Sequence, residues 1–117
     1  DIYTGQSGGK PAVGVLVRSV DSLPKSDRAP LLAQAARLAD AAGEGELGAE
    51  VRQALLRDHP EAPESQDAAL ALARHTAVVP ERRQEAVRIL EELVARWPGS
   101  ALAPDARREL ERLRRAP

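Results

Sequence analysis

The chain lacks cysteine, methionine and phenylalanine, and it has one tryptophan and one tyrosine among 117 residues. Without cysteine, neither a disulfide framework nor a cysteine-ligated zinc site is expected. No run approaches the roughly 20 apolar residues that a membrane-spanning helix needs, so we expect no membrane span. Because methionine is absent, Asp1 is not expected to be a translation start, which indicates a processed chain or part of a longer one.

An excess of charge of one sign is also lacking, since 17 basic and 18 acidic residues give a net charge of −1. No global positive field therefore points to nucleic acid. The charges are unevenly distributed: residues 40–67 carry eight acids against two arginines, whereas residues 80–117 carry nine arginines against seven acids. This asymmetry suits head-to-tail contact between copies, and the alternative is that both regions are solvated helix faces.

Alanine and leucine are abundant, with 22 and 15 copies. Both are strong helix formers, and valine or isoleucine rarely alternate with polar residues, so the composition predicts an all-helical fold. Apolar spacing and proline positions predict about six helices, which are joined by turns short enough to make neighbours antiparallel. They cover residues 12–23, 27–42, 46–58, 64–77, 82–97 and 101–115. A strand from Ala12 to Val20 competes with the first helix.

Local signals predict where these helices end. Ser26 and Asp27 form a cap signal for the second helix, and Gly43 is expected to stop it. Ser100 is the expected N-cap of the sixth helix. Trp97 extends the apolar stripe of the fifth, so we expect it in the core. Residues 1–10 contain three glycines and no apolar period, which indicates a tail ahead of a domain over 11–117.

A spacing of five, seven and five residues recurs along the chain and indicates a repeat. The spacing joins four positions. The second holds a small residue, the third, seven residues later, holds an apolar or small residue, and the fourth holds a proline that ends a helix. The three sets are Ser7, Ala12, Ser19 and Pro24; Gly43, Gly48, Leu55 and Pro60; and Glu81, Ala86, Leu93 and Pro98. Aligning residues 55–75 with 93–113 gives six identities, which include the leucine, the proline and an aspartate.

The stretches GAEVRQALLRDHPEAPESQDAALAL from Gly48 and AVRILEELVARWPGSALAPDARREL from Ala86 resemble the tetratricopeptide repeat (TPR) family. They are most similar to its divergent form in bacterial envelope proteins, although Trp97 and His59 replace the usual tyrosine. The resemblance implies a right-handed superhelix of antiparallel helix hairpins, a TPR-like α-solenoid. It also implies a non-enzymatic module for protein–protein interaction, with an exported or cell-envelope location favoured and a cytoplasmic one left open.

In this family the first helix of each hairpin lines a concave groove that binds peptides or protein segments. Here those helices are 27–42, 64–77 and 101–115. Arg37, Arg74 and Arg112 recur on them at intervals of 37 and 38 residues. A row of guanidinium groups is suited to bind the carboxylates of an acidic peptide. The alternative is that these arginines lie along the helix surface or pair with Asp40, Asp105 or Glu109.

The two end helices have no partner within the predicted repeat, which suggests a structural subunit as the second function. The helix at 101–115 of one copy would pair with that at 12–23 of the next and propagate as a head-to-tail homo-oligomer. The expected assembly residues are Ile2 and Tyr3 in the tail with Leu16, Val20, Leu110 and Leu113 on the end helices. The alternatives are a solvating cap helix and a disordered tail.

No residue pattern predicts catalysis, a cofactor or a metal. Ser65, Asp67 and His75 supply the groups of a hydrolytic triad, but they lie on one short helix and cannot reach the required geometry. Gly9-Lys10 lacks the glycine and the hydroxyl residue that a phosphate-binding loop requires. His59 and His75 have no partner at ligand spacing, so no metal site is expected.

Overall fold

The computed structural model of the protein describes residues 22–116. Five α-helices and one 3₁₀ turn make up most of this range, and the range contains no strand, which confirms the predicted all-helical class. The helices are Lys25–Ala41 (α1), Gly45–Asp58 (α2), Glu64–Ala77 (α3), Arg83–Arg96 (α4) and Ala103–Arg115 (α5), and the 3₁₀ turn is Pro80–Arg82. The chain divides into two compact units, with the boundary after Ser65.

Several predictions concern residues outside the described range. The tail over residues 1–10 lies there, as does the helix at 12–23 apart from Ser22 and Leu23, together with the competing strand. Four of the expected assembly residues, Ile2, Tyr3, Leu16 and Val20, also fall outside it. The arrangement of the hairpins as a superhelix stays a prediction.

In the first unit, α1 and α2 pack against each other across a three-residue turn. Gly43 adopts a left-handed φ of 79°, which glycine reaches without the steric cost that a side chain brings. Its amide donates to the Asp40 carbonyl at 3.0 Å, and the Glu44 amide donates to the Ala39 carbonyl at 2.8 Å. This pair of bonds is the Schellman motif, and it confirms the predicted stop at Gly43.

Gly48 allows α1 and α2 to approach each other closely. A Cβ atom on this residue would lie 2.5 Å from Asp40 Oδ1 and 3.5 Å from the carbonyl oxygen of Ala36. Arg52, one turn further along α2, donates two hydrogen bonds to the carboxylate of Asp40 on α1, at 2.5 and 3.2 Å. The expectation that a small residue at this position lets the neighbouring helix approach therefore holds.

In the second unit, α4 and α5 pack against each other. Arg114, near the end of α5, forms an ion pair with Glu91 of α4. Arg83, at the start of α4, donates to the carbonyl of Ala116 at 3.2 Å. The end of α5 therefore lies beside the part of α4 that runs from Arg83 to Glu91, as expected for antiparallel neighbours.

The predicted repeat is visible in the backbone. Helix α4 begins and ends 38 residues after α2, and the residues that follow them, His59 and Trp97, have φ of −136° and −128° with ψ of 58° and 66°. The amide of His59 donates to Leu55 at 2.8 Å, and that of Trp97 donates to Leu93 at 2.9 Å. Both leucines are completely or almost completely buried. The proline-containing turns after α2 and α4 thus follow the same path.

Three local predictions were wrong. The N-cap of α1 is Pro24 rather than Ser26, and no side chain caps this helix. The N-cap of α5 is Leu102, because Ser100 lies in the preceding turn, where its hydroxyl accepts from the Leu102 amide at 3.0 Å. Trp97 is the C-cap of α4 and is only partly buried, since the helix ends at Arg96 and its apolar stripe ends with it.

Candidate functional site

Two of the three predicted arginines meet in the second unit. Arg74 on α3 and Arg112 on α5 lie on either side of Glu109. Arg74 Nε is 3.5 Å from one carboxylate oxygen, and a terminal nitrogen of Arg112 is 2.7 Å from the other. The side chains of the arginines are 53% and 62% exposed, whereas that of Glu109 is 20% exposed. We call these three residues the Arg74–Glu109–Arg112 cluster.

The two arginines keep Glu109 ionised. Hydrogen bonds from Arg112 are the main reason that the pKa of Glu109 lies below its ordinary value, and partial burial opposes this effect. Arg74 adds a smaller electrostatic contribution in the same direction. The carboxylate is therefore charged at neutral pH, and the cluster carries two positive charges and one negative charge.

Arg37, the third predicted arginine, lies on the exposed side of α1 in the first unit. The described part of the chain gives it no ion pair. The expectation of three arginines on one groove stays a prediction, and only Arg74 and Arg112 are brought together by the described contacts. The alternative in which Glu109 pairs with these arginines is the one observed, since Glu109 contacts both of them.

The geometry of the cluster leaves donors available. Each guanidinium has five N–H donors, so the two arginines have ten between them. The two oxygens of the Glu109 carboxylate can accept hydrogen bonds from only some of these donors. Both arginine side chains are more than half exposed, so solvent reaches a large part of each. A second carboxylate suits this arrangement, since guanidinium forks bind carboxylates in a planar, charge-assisted manner. The cluster can therefore bind an anionic group without losing Glu109.

The two predicted assembly leucines in the described range are buried within the chain. Leu110 is 6% exposed and Leu113 is 4% exposed, and both belong to the narrow apolar stripe of α5 together with Ala103 and Ala106. The exposed side of α5 carries charged residues instead. Contact with another copy through these leucines would first require their release from the protomer, and that assembly stays a prediction.

Ser65, one of the residues considered for catalysis, has a structural contact. Ser65 is completely buried, and its hydroxyl donates to the carbonyl of His59 at 2.6 Å across the turn after α2.

Within residues 22–116, no three His, Asp or Glu side chains are grouped so that they would hold a metal ion. No helix in the same range combines the length and the apolar character that crossing a membrane requires.

One polar link in the second unit was not predicted from the sequence. The Ser100 hydroxyl, in the turn before α5, donates to the side-chain oxygen of Gln66 on α3 at 2.5 Å. The cap signal at Ser100 does not indicate this bond, because its partners are 34 residues apart in the sequence. The role of Glu109 is easier to recognise, since its spacing of three residues from Arg112 on a helix is typical of an ion pair.

No protein-family model matches this sequence, and comparisons with curated proteins and with solved structures found no match.

Proposed function

We propose that this chain is a non-enzymatic helical-repeat module that binds an acidic segment of a partner protein. The Arg74–Glu109–Arg112 cluster would provide the recognition site. The observation on which the proposal depends is that two arginines 38 residues apart share one carboxylate while both their side chains are more than half exposed. A TPR-like stacking of hairpins, in which Arg37 extends the same row, belongs to this proposal.

The repeat supports this proposal. Helices α3 and α5 follow α2 and α4 through turns with equivalent backbone hydrogen bonds, so equivalent positions carry Arg74 and Arg112. A repeated helix surface presents the same side chain at regular intervals. An extended peptide is the type of ligand whose side chains can contact such a regularly spaced row. Carboxylates along that peptide would meet the guanidinium groups in turn.

The experiment is a binding titration by fluorescence anisotropy. The probes are a short labelled peptide rich in glutamate and its counterpart in which glutamine replaces every glutamate. We expect the wild-type chain to bind only the glutamate peptide, because charge–charge hydrogen bonds provide the affinity. Replacing both arginines (R74A/R112A) should weaken binding about tenfold or more, since two charged hydrogen-bond partners are lost.

A matched control removes the same number of charges elsewhere. Arg88 on α4 and Arg107 on α5 are exposed and form no ion pair with a described residue, so R88A/R107A tests whether net charge alone matters. This variant should retain most of the affinity, and circular dichroism should show the same helicity for all variants. Equal losses for both double variants, or equal binding of the glutamine peptide, would contradict the proposal.

A further inference from the structure

A groove in the first unit lies between the start of α1 and the turn from α2 to α3. It has a volume of about 620 Å³. Its apolar lining is formed by three prolines and two alanines: Pro30, Pro60, Pro63, Ala29 and Ala62. Proline and alanine side chains have no hydrogen-bond donor or acceptor, so in this part of the groove only backbone groups can form hydrogen bonds with a ligand.

Acidic side chains also line this groove. Asp58, Glu61 and Glu64 contribute carboxylates, and Lys25 contributes the single formal positive charge of the lining. Asp58 accepts two hydrogen bonds from its neighbour Arg57, which keep its pKa below the ordinary value. The lining therefore carries a net charge of −2 at neutral pH, and the Glu64 carboxylate forms no ion pair with a described residue.

An apolar lining with carboxylates is chemically suited to arginine. The methylene stem of arginine covers apolar surface, while its guanidinium binds carboxylates through paired hydrogen bonds. Lysine matches less well, because its ammonium is a compact, strongly hydrated charge without the planar fork. The groove therefore favours a ligand that presents arginine side chains.

The chain presents such side chains on the exposed side of α5. Arg107, Arg114 and Arg115 lie together there with Glu111 around a shallow depression of about 490 Å³. Arg114 pairs with Glu91, and Arg115 lies 4.0 Å from Glu111. Arg107 has no ion pair with a described residue, so its guanidinium is available.

We propose that the groove of the first unit binds the arginine-bearing side of α5 from a second copy of this chain. The complementarity extends beyond the groove, because residues 22–65 carry eight acids against five bases, whereas residues 66–116 carry eight acids against ten. The two surfaces differ from each other, so the contact is heterologous and each bound copy leaves one surface of each kind available. It differs from the leucine-based assembly and from the peptide site.

The experiment is analytical ultracentrifugation of the whole chain at about 0.05 M and about 0.5 M salt. At the lower concentration we expect the wild type to self-associate, and at the higher one to dissociate, because salt screens exposed charges. Reversing one charge on either surface, with E64R or R107E, should weaken self-association about tenfold or more, since like charges then face each other. The double variant E64R/R107E should recover it, because the charges are opposite again.

Mixing the two single variants gives a sharper test. The groove of R107E retains Glu64 and meets Arg107 of E64R, and at the other contact the arginine that E64R introduces meets the glutamate that R107E introduces. Because opposite charges face each other at both contacts, we expect the mixture to associate although each variant alone associates weakly. The matched controls are E50R on α2 and R88E on α4, which reverse exposed charges outside both surfaces and should associate like the wild type. A wild type that stays monomeric at low salt up to about 0.1 mM overturns the proposal. So does a double variant that fails to recover association, or a control that loses it equally.

Discussion

At the residue scale, the central feature is one carboxylate shared by two arginines. Glu109 is partly buried, and a partly buried carboxyl without a cation would favour its neutral form. Arg112 and Arg74 reverse that preference, which explains why the pKa of Glu109 is lowered. The cost of keeping this carboxylate ionised is thus offset by two guanidinium groups whose side chains are more than half exposed.

The pKa of Glu109 provides a direct test of this arrangement. Because its pKa in the folded protein lies below 4.5, the stabilisation that ionised Glu109 contributes is fully present above about pH 4.5 and is lost as the pH falls through the folded-state pKa. Carbon-detected NMR titration should show that R112Q raises this pKa toward the ordinary value and that R74Q raises it less. The control R88Q should leave it unchanged. A larger effect of R74Q than of R112Q would contradict the geometry.

At the element scale, the two glycines in turns have different roles. Gly43 ends α1 with a left-handed φ, whereas Gly99, in the turn before α5, has no left-handed φ, and a Cβ added to it would meet no atom within 4 Å. We expect Gly43→Ala to lower the free energy of unfolding by about 1 kcal/mol. Gly99→Ala should be neutral or slightly stabilising, because alanine restricts the unfolded chain. Urea denaturation followed by circular dichroism measures both, and equal effects would contradict the assigned turn.

Helix positions were predictable from the sequence because apolar spacing and proline act over a few residues. The prediction for α3 was correct at both ends, and α2 differs by one residue at its start. The caps at Ser26 and Ser100 were not predictable in this way, since a cap depends on the backbone path into the helix. The pairing of Arg74 with Glu109 joins residues 35 positions apart, so it depends on tertiary packing that local patterns do not encode.

At the scale of the whole molecule, stability depends on small apolar contacts in both units. Of the 21 buried apolar residues in the described range, 11 are alanine and ten are leucine or valine. Leu55 and Leu93 occupy equivalent positions in the two units and have relative exposures of 0% and 1%. Each leucine therefore contributes more buried apolar volume to its hairpin than a buried alanine does.

Truncating either leucine tests this distribution. We expect Leu55→Ala and Leu93→Ala each to lower the free energy of unfolding by about 2–5 kcal/mol, because each leaves a cavity in a packed interior. The free energy of unfolding of a native domain is only about 5–15 kcal/mol, so either change should markedly lower the thermal midpoint measured by calorimetry. The control is Leu38→Ala, at a position that is 38% exposed, where the loss should stay under about 1 kcal/mol. Similar losses at all three positions would contradict the assigned core.

The matching turns after α2 and α4 also bear on how such a gene can change in length. The Ala62 amide donates to His59 at 3.1 Å, and the Ser100 amide donates to Trp97 at the same distance. Recombination between the two corresponding codons would therefore join one half of a turn to its counterpart and leave the local hydrogen bonding intact. Unequal crossing-over at these sites would add or delete 38 codons at a time, which keeps each proline at the same distance from the helix that it ends.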